Sequence, residues 1–67
     1  MATPIKVSTT VQHGVTKHVA SYKGNITVDS SAKAAVRRLR TEYREVYGVA
    51  IPRNAPIRTV PYYQALI

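Results

Sequence analysis

The segment from Ser31 to Gly48 constrains the fold of this chain more than any other part of it. Its sequence, SAKAAVRRLRTEYREVYG, repeats apolar residues at steps of three and four. At 3.6 residues per turn, this spacing puts them on one side of a helix. Asp29, Ser30 and Ser31 can each cap the first turn, and Gly48 can end the helix in the left-handed conformation. We therefore predict one amphipathic helix. Its apolar stripe consists of Ala32, Ala35, Val36, Leu39, Tyr43, Val46 and Tyr47.

A second stripe along the same helix is basic. Its members follow steps of four, three and four residues, and no acid lies among them. Arg38 and Glu42 are instead spaced for an ion pair of their own elsewhere on the helix. We expect Tyr43 and Tyr47 between the two stripes, where an aromatic ring can meet a base or a sugar. The basic stripe consists of Lys33, Arg37, Arg40 and Arg44.

The residues before the helix alternate between β-branched and polar side chains, which is the pattern of half-buried strands. They predict strands at 5–11, 15–22 and 25–28, separated by turns that contain Gly14 and Gly24. Three short strands followed by one helix predict an α+β fold. In this fold a three-stranded antiparallel sheet, a β-meander, packs against the amphipathic helix.

The first turn decides which side chains of the sheet face the helix, because a shift of one residue moves every side chain to the other face. A three-residue loop at 12–14 places Val11 opposite Val15, whereas a two-residue loop groups Val7 and Val11 with Ala20 and Tyr22. We favour the three-residue loop because it buries more β-branched surface. The face that would then cover the helix consists of Ile5, Val7, Val11, Val15, Val19, Ile26 and Val28.

The composition changes after Gly48. Prolines at 52, 56 and 61 forbid a helix and discourage a central strand. We divide the single domain into a sheet-plus-helix core at 1–48 and a Pro-rich extended arm at 49–67, in which 57–60 can add a short edge strand. The end of the arm is apolar, and we expect it either to fold back over the core or to dock into another chain. The docking residues would be Tyr62, Tyr63, Leu66 and Ile67.

The charge balance points to a polyanionic partner. Ten Lys and Arg residues stand against three Asp and Glu residues, which gives a formal net charge of +7 in 67 residues. The chain has no cysteine, so disulfides and thiolate metal sites are excluded. His13 and His18 lack the spacing of a metal pair, and the acids are too few for most acid–base chemistry. We expect neither catalysis nor a metal or other cofactor.

The leading functional hypothesis is a small, non-enzymatic nucleic-acid-binding accessory protein that contacts mainly phosphates. The order of three strands and one helix resembles small sheet-plus-helix DNA-binding modules such as integrase N-terminal domains, which read DNA from the sheet. The strands here lack the aromatic and arginine pattern expected of such a reading face. The expected binding residues are Lys33, Arg37, Arg40, Arg44, Arg53 and Arg58.

Two other hypotheses fit the same features. The chain could be a structural subunit of a larger assembly, such as a virus or phage particle or a ribonucleoprotein, that docks by its C-terminal arm. It could also be a small inhibitor that binds an acidic surface of a host protein. Because no stretch is apolar enough for a membrane span or a signal peptide, we expect no membrane partner. We expect a cytoplasmic location, or a particle assembled in the cytoplasm, and a homodimer or assembly subunit.

Overall fold

Four strands and one helix follow one another in the computed structural model, which describes residues 3–61. The antiparallel strands β1, β2 and β3 pack against α1, and β4 adds a fourth strand in the sheet order β3-β2-β1-β4. The predicted α+β fold is therefore confirmed. The elements are β1 (Ile5–Gln12), β2 (Val15–Tyr22), β3 (Asn25–Asp29), α1 (Ala32–Tyr47) and β4 (Ile57–Thr59).

Both ends of α1 are formed by the residues that the sequence marks for that purpose. The Ser31 hydroxyl oxygen accepts a hydrogen bond from the Ala34 N–H at 3.1 Å, which satisfies a donor of the first turn. Gly48 lies in the left-handed region with φ of 73°, and its N–H donates to the Arg44 carbonyl at 2.8 Å. These contacts explain why α1 begins and ends where it does.

The hairpin between β1 and β2 has a two-residue loop, so the predicted three-residue loop is wrong. His13 and Gly14 both have positive φ, 52° and 76°, as a tight primed turn requires. Val7 consequently pairs with Ala20 rather than with Val19. The three-residue loop assumed positive φ at Gly14 alone, because a non-glycine residue seldom adopts it. His13 also adopts positive φ, which allows the shorter loop.

This register changes which side chains meet the helix. Ala20 and Tyr22 join Ile5 and Val7 in the buried cluster beneath α1. Val11, which was expected in that cluster, lies near the hairpin tip and is 68% exposed. The other residues that the prediction placed against the helix lie instead on the opposite face of the sheet, since they alternate with its helix-facing residues. They are Val15, Val19, Ile26 and Val28.

Strand β4 returns the chain to the start of the sheet, where it pairs in parallel with β1. The Ile5 N–H donates to the Pro56 carbonyl and the Val60 N–H donates to the Val7 carbonyl, both at 2.8 Å. The expected edge strand thus exists. The segment 49–56 that leads to it buries Ile51 and Ala55 in the same core as Leu39 of α1. That segment therefore runs beside the helix and forms part of the core.

The sheet face opposite the helix is also buried at its centre. Val19 is fully buried there, and Ser8 and Ser21 are nearly so. The Ser8 hydroxyl has no hydrogen-bond partner within the part of the chain that the structure describes.

Across residues 3–61, no helix is both long and apolar enough to cross a membrane. The predicted docking residues Tyr62, Tyr63, Leu66 and Ile67 lie outside the described residues.

Candidate nucleic-acid interface

An open cleft of about 590 Å³ lies between α1 and the segment 49–56. Arg40 and Arg44, one turn apart on the helix, form one wall. Arg53 stands on the other wall, on the segment that leads to β4. The cleft thus brings together three of the arginines expected to bind nucleic acid. The remaining described lining is Thr41, Ala50 and Ile51.

Arg40 is held in place by the opposite wall of the cleft. Its Nη1 donates to the Ile51 carbonyl at 3.2 Å and lies 3.4 Å from the Pro52 carbonyl. The side chain is half-buried, so its rotamer freedom is already reduced before any ligand arrives. A guanidinium has five N–H donors. Both contacts use Nη1, so the donors on the other two nitrogens have no partner among the described residues and remain for an anion.

Arg44 differs from Arg40 in having no such anchor among residues 3–61. Its side chain is exposed, as are those of Arg37 and Arg53. Thr41, between Arg40 and Arg44 in sequence, directs its hydroxyl to the Arg37 carbonyl at 3.2 Å. The cleft therefore combines one fixed cation with movable cations around it.

The acids of the chain lie away from this cleft. Glu42 pairs with Arg38, with 3.6 Å between Arg38 Nε and Glu42 Oε1, and Glu45 lines a separate groove against β3. Asp29 lies at the end of β3, where a hydrogen bond from the Ser30 N–H at 2.7 Å lowers the pKa of its carboxyl. None of the three acids of the sequence lines the cleft. Its positive charge is consequently not neutralised from within the described chain.

Two of the predicted binding residues are placed elsewhere. Lys33 begins the basic stripe but lines a separate apolar groove beside β4. Arg58 pairs in register with Lys6 of β1. Its side chain therefore lies on the sheet face away from the helix and away from the cleft. Arg58 therefore does not extend the basic surface that α1 presents.

The two tyrosines of α1 contact residues of β2 and β3. The Tyr43 ring packs edge-on against Tyr22, with 5.1 Å between centroids and 83° between planes. The Tyr47 hydroxyl donates to Asn25 Oδ1 at 3.2 Å. The cleft lining has no aromatic ring among the described residues. The two rings therefore do not line the cleft, and contact between them and a base or sugar stays a prediction.

Two lining residues, Thr41 and Ala50, have no signal in the sequence that marks them. Neither carries charge, and Ala50 enters the cleft only because the chain after Gly48 turns back along the helix.

Elsewhere in the described residues, no three His, Cys, Asp or Glu side chains gather as metal ligands. His13 lies in the exposed hairpin turn and His18 on β2.

No protein-family model, curated protein or solved structure matches this chain. Its function must therefore be inferred from its own charges and cavities.

Proposed function

We propose that this protein is a non-enzymatic nucleic-acid-binding protein that holds backbone phosphates in the cleft between α1 and the segment 49–56. The observation that carries this proposal is the convergence of Arg40, Arg44 and Arg53 on two walls of one acid-free cleft. Arginines gathered from separate segments around one cavity form a site, whereas arginines spread along a helix form only a charged surface.

The chemistry of the three side chains favours phosphate as the ligand. A guanidinium presents planar, paired donors that match two oxygens of a phosphate. Arg40 is already oriented by the carbonyl of Ile51, so binding costs less side-chain entropy there than at a free arginine. Arg44 and Arg53 can then close on the same anion, or on neighbouring phosphates, from the two sides.

The lining supports contacts to the backbone rather than to bases. It contains no Asn or Gln to read a base edge and no ring on which a base could stack, within the described residues. We therefore expect similar affinity for different sequences and a steep dependence on salt. The formal charge of +7 adds long-range attraction and speeds association.

The basic stripe extends the binding surface from the cleft along α1. Lys33 and Arg44 are eleven positions apart, which on a helix rising 1.5 Å per residue corresponds to about 16 Å. Arg37 is exposed between them. A nucleic-acid strand that enters the cleft can thus continue along this side of the helix. We place this activity in the cytoplasm, with which the cysteine-free composition is compatible.

The test is a titration of the full chain against fluorescent duplex DNA, single-stranded DNA and RNA over a range of salt concentrations. If Arg40, Arg44 and Arg53 each neutralise one phosphate, log K should fall against log salt with a slope of about −2.7 for duplex DNA. A slope near zero, or no binding at low salt, would contradict the proposal.

A pair of charge-matched variants separates the cleft from the net charge. Arg44→Glu with Arg53→Glu lowers the formal charge from +7 to +3, since each replacement removes two units. Lys17→Glu with Lys23→Glu makes the same change away from the cleft. We expect the cleft variant to lose about tenfold or more in affinity and the control about threefold or less. Equal losses would show that net charge alone attracts the nucleic acid.

A further inference from the structure

The outer edge of β4 is not paired with any other described strand, because β4 is the last strand in the order β3-β2-β1-β4. The backbone contacts to β1 use the Pro56 carbonyl and the Val60 N–H. In a parallel ladder the inward and outward directions alternate along the strand. The N–H and C=O groups of Ile57 and Thr59 therefore point away from β1, where another strand could pair with them.

An apolar groove of about 290 Å³ runs beside this edge, between β4 and the first half of α1. Ile57 of β4 is 59% exposed here, although it is one of the larger apolar side chains of the chain. Ala32 and Val36 of α1 form the facing wall and are only partly buried against the core. The groove exists because α1 packs mainly over β2 and β3 and leaves the β1–β4 side open. It is suited to aliphatic side chains.

The charges around the groove are positive. Lys33 is exposed and contributes to the lining. On β4 itself, Ile57 and Thr59 lie on the groove side while Arg58 lies on the opposite face, as their alternation along the strand requires. A strand added at this edge would have every second side chain beside the groove and the others beside Arg58.

We propose that β4 and this groove form a docking site for an extended peptide segment in which aliphatic and acidic residues alternate. The peptide would pair with the outward backbone groups of Ile57 and Thr59 as a fifth strand. Its aliphatic side chains would enter the groove, and its carboxylates would lie beside Arg58. The site is separate from the arginine cleft, so this inference does not depend on nucleic-acid binding.

The charge of the chain decides between an acidic peptide and a second copy of the same protein. A second copy would bring another formal charge of +7 to an edge that already carries Lys33 and Arg58. Like charges brought together across an interface oppose binding, whereas carboxylates beside them favour it. Apart from Lys33, the described lining of the groove has no charged side chain to bind a phosphate backbone. Charge complementarity therefore favours an acidic partner.

The experiment uses the ¹⁵N-labelled full chain and the synthetic peptide acetyl-EVEIEVE-amide. We expect amide shift changes at 57–59 and along the groove wall at Ala32 and Val36. A peptide of the same composition without alternation, acetyl-EEVIVEE-amide, should bind about tenfold more weakly because its aliphatic side chains no longer share one face. Absence of shift changes, or changes centred on the exposed Val46 and Tyr47, would overturn the proposal.

Substitutions at exposed positions test the site without threatening the fold. Ile57→Ser should weaken peptide binding about tenfold because it removes the apolar contact. Val11→Ser is the matched control, since Val11 is exposed to a similar extent at the far hairpin tip. Arg58→Glu should weaken binding of the acidic peptide and strengthen that of acetyl-KVKIKVK-amide. If Ile57→Ser and Val11→Ser behave alike, the groove is not the site.

Two further outcomes identify a different occupant. If the chain alone is a dimer that Ile57→Ser converts to a monomer, then the edge is occupied by a second copy and the acidic peptide is ruled out. If the peptide binds only after residues 62–67 are removed, then the chain's own C-terminal segment competes for the edge. Nucleic-acid binding should be unchanged by Ile57→Ser, and peptide binding unchanged by Arg44→Glu with Arg53→Glu. These two results distinguish failure here from failure of the arginine cleft.

Discussion

The two flanks of α1 differ in charge although one helix supplies both. On one flank, Arg40 and Arg44 face Arg53 across a cleft of about 590 Å³. On the other, Glu42 and Glu45 line a groove of about 310 Å³ against β3. Arg38 is paired with Glu42 on this second flank. The helix therefore separates an uncompensated basic surface from a nearly balanced one.

Net charge is a poor guide to where a partner binds on this molecule. The whole chain is basic, yet its positive charge can converge on a ligand only where a second segment faces the helix. The segment 49–56 supplies that wall on the basic flank, and β3 supplies polar and apolar residues on the nearly balanced flank. A polyanion should therefore distinguish the two flanks even though they are parts of the same helix.

Leu39 lies beneath both flanks, and its truncation should change stability more than any other substitution considered below. Leu39 is 1% exposed and packs in the core that supports α1. Leu39→Ala should lower the free energy of unfolding by about 3 kcal/mol, because it leaves a cavity in a small core. Urea denaturation measures this change, and Val46→Ala at a 70% exposed site on the same helix is the control. Similar midpoints for the two variants would contradict the core position of Leu39.

The next effect tests whether the basic flank is partly structural. Arg40→Met should lower the free energy of unfolding by about 1–2 kcal/mol, because the Ile51 carbonyl loses its charged donor. Arg44→Met should change it by less than about 0.5 kcal/mol, since Arg44 is exposed. Thermal or urea unfolding of both variants gives the comparison. Equal stability would mean that Arg40 does not tie the helix to the segment 49–56.

Exchanging two neighbouring charges tests directly whether the two flanks differ in polyanion binding. Arg44→Glu combined with Glu45→Arg keeps the formal charge at +7 but removes one arginine from the cleft. We expect polyanion affinity to fall about tenfold, equivalent to about 1.4 kcal/mol, and the salt slope to fall by about 0.9. Circular dichroism confirms that the helix is retained. An unchanged affinity would show that the two flanks are equivalent for binding.

The smallest change in stability should be seen at acid pH and comes from Asp29 at the end of β3. The Ser30 N–H lowers the folded-state pKa of Asp29 below its ordinary value of 3.8. The ionised form therefore stabilises the fold above that value, and the contribution is lost as the pH falls through the lower folded-state pKa. Unfolding between about pH 5 and pH 2 should show a smaller loss of stability for Asp29→Asn than for the unmodified chain. A larger loss of stability for Asp29→Asn than for the unmodified chain would contradict the lowered pKa of Asp29.

The helix and the strand order were predictable because their signals are local. The three-to-four spacing, a capping residue and Gly48 all lie within one segment, and each strand is marked by its own alternation. The sheet register was not predictable, since it depends on His13 accepting a positive φ that the residue type does not announce. One such residue transferred Val19 to the far face and Ala20 to the helix face.

The candidate site was predictable in its residues more than in its shape. The charged pattern identified Arg40, Arg44 and Arg53. Whether Arg53 lies opposite the helix, however, depends on how the Pro-rich segment packs. Prolines exclude a helix there without saying which side of α1 the chain follows. Arg58 was misjudged for a related reason. Its side of the sheet depends on the pairing register of β4 with β1, which joins residues far apart in the sequence.

The parallel pairing of β4 with β1 also has a kinetic consequence. The hairpins of β1, β2 and β3 close short loops, whereas β4 pairs with β1 across 52 positions of the chain, from Ile5 to Ile57, which costs more chain entropy. We expect the meander and α1 to form the folding nucleus, and substitutions in β4 to accelerate unfolding while leaving the folding rate nearly unchanged. Undocking of β4 would then be a low-energy opening that dismantles the peptide groove, while the arginine cleft, which no β4 residue lines, and the rest of the sheet stay in place.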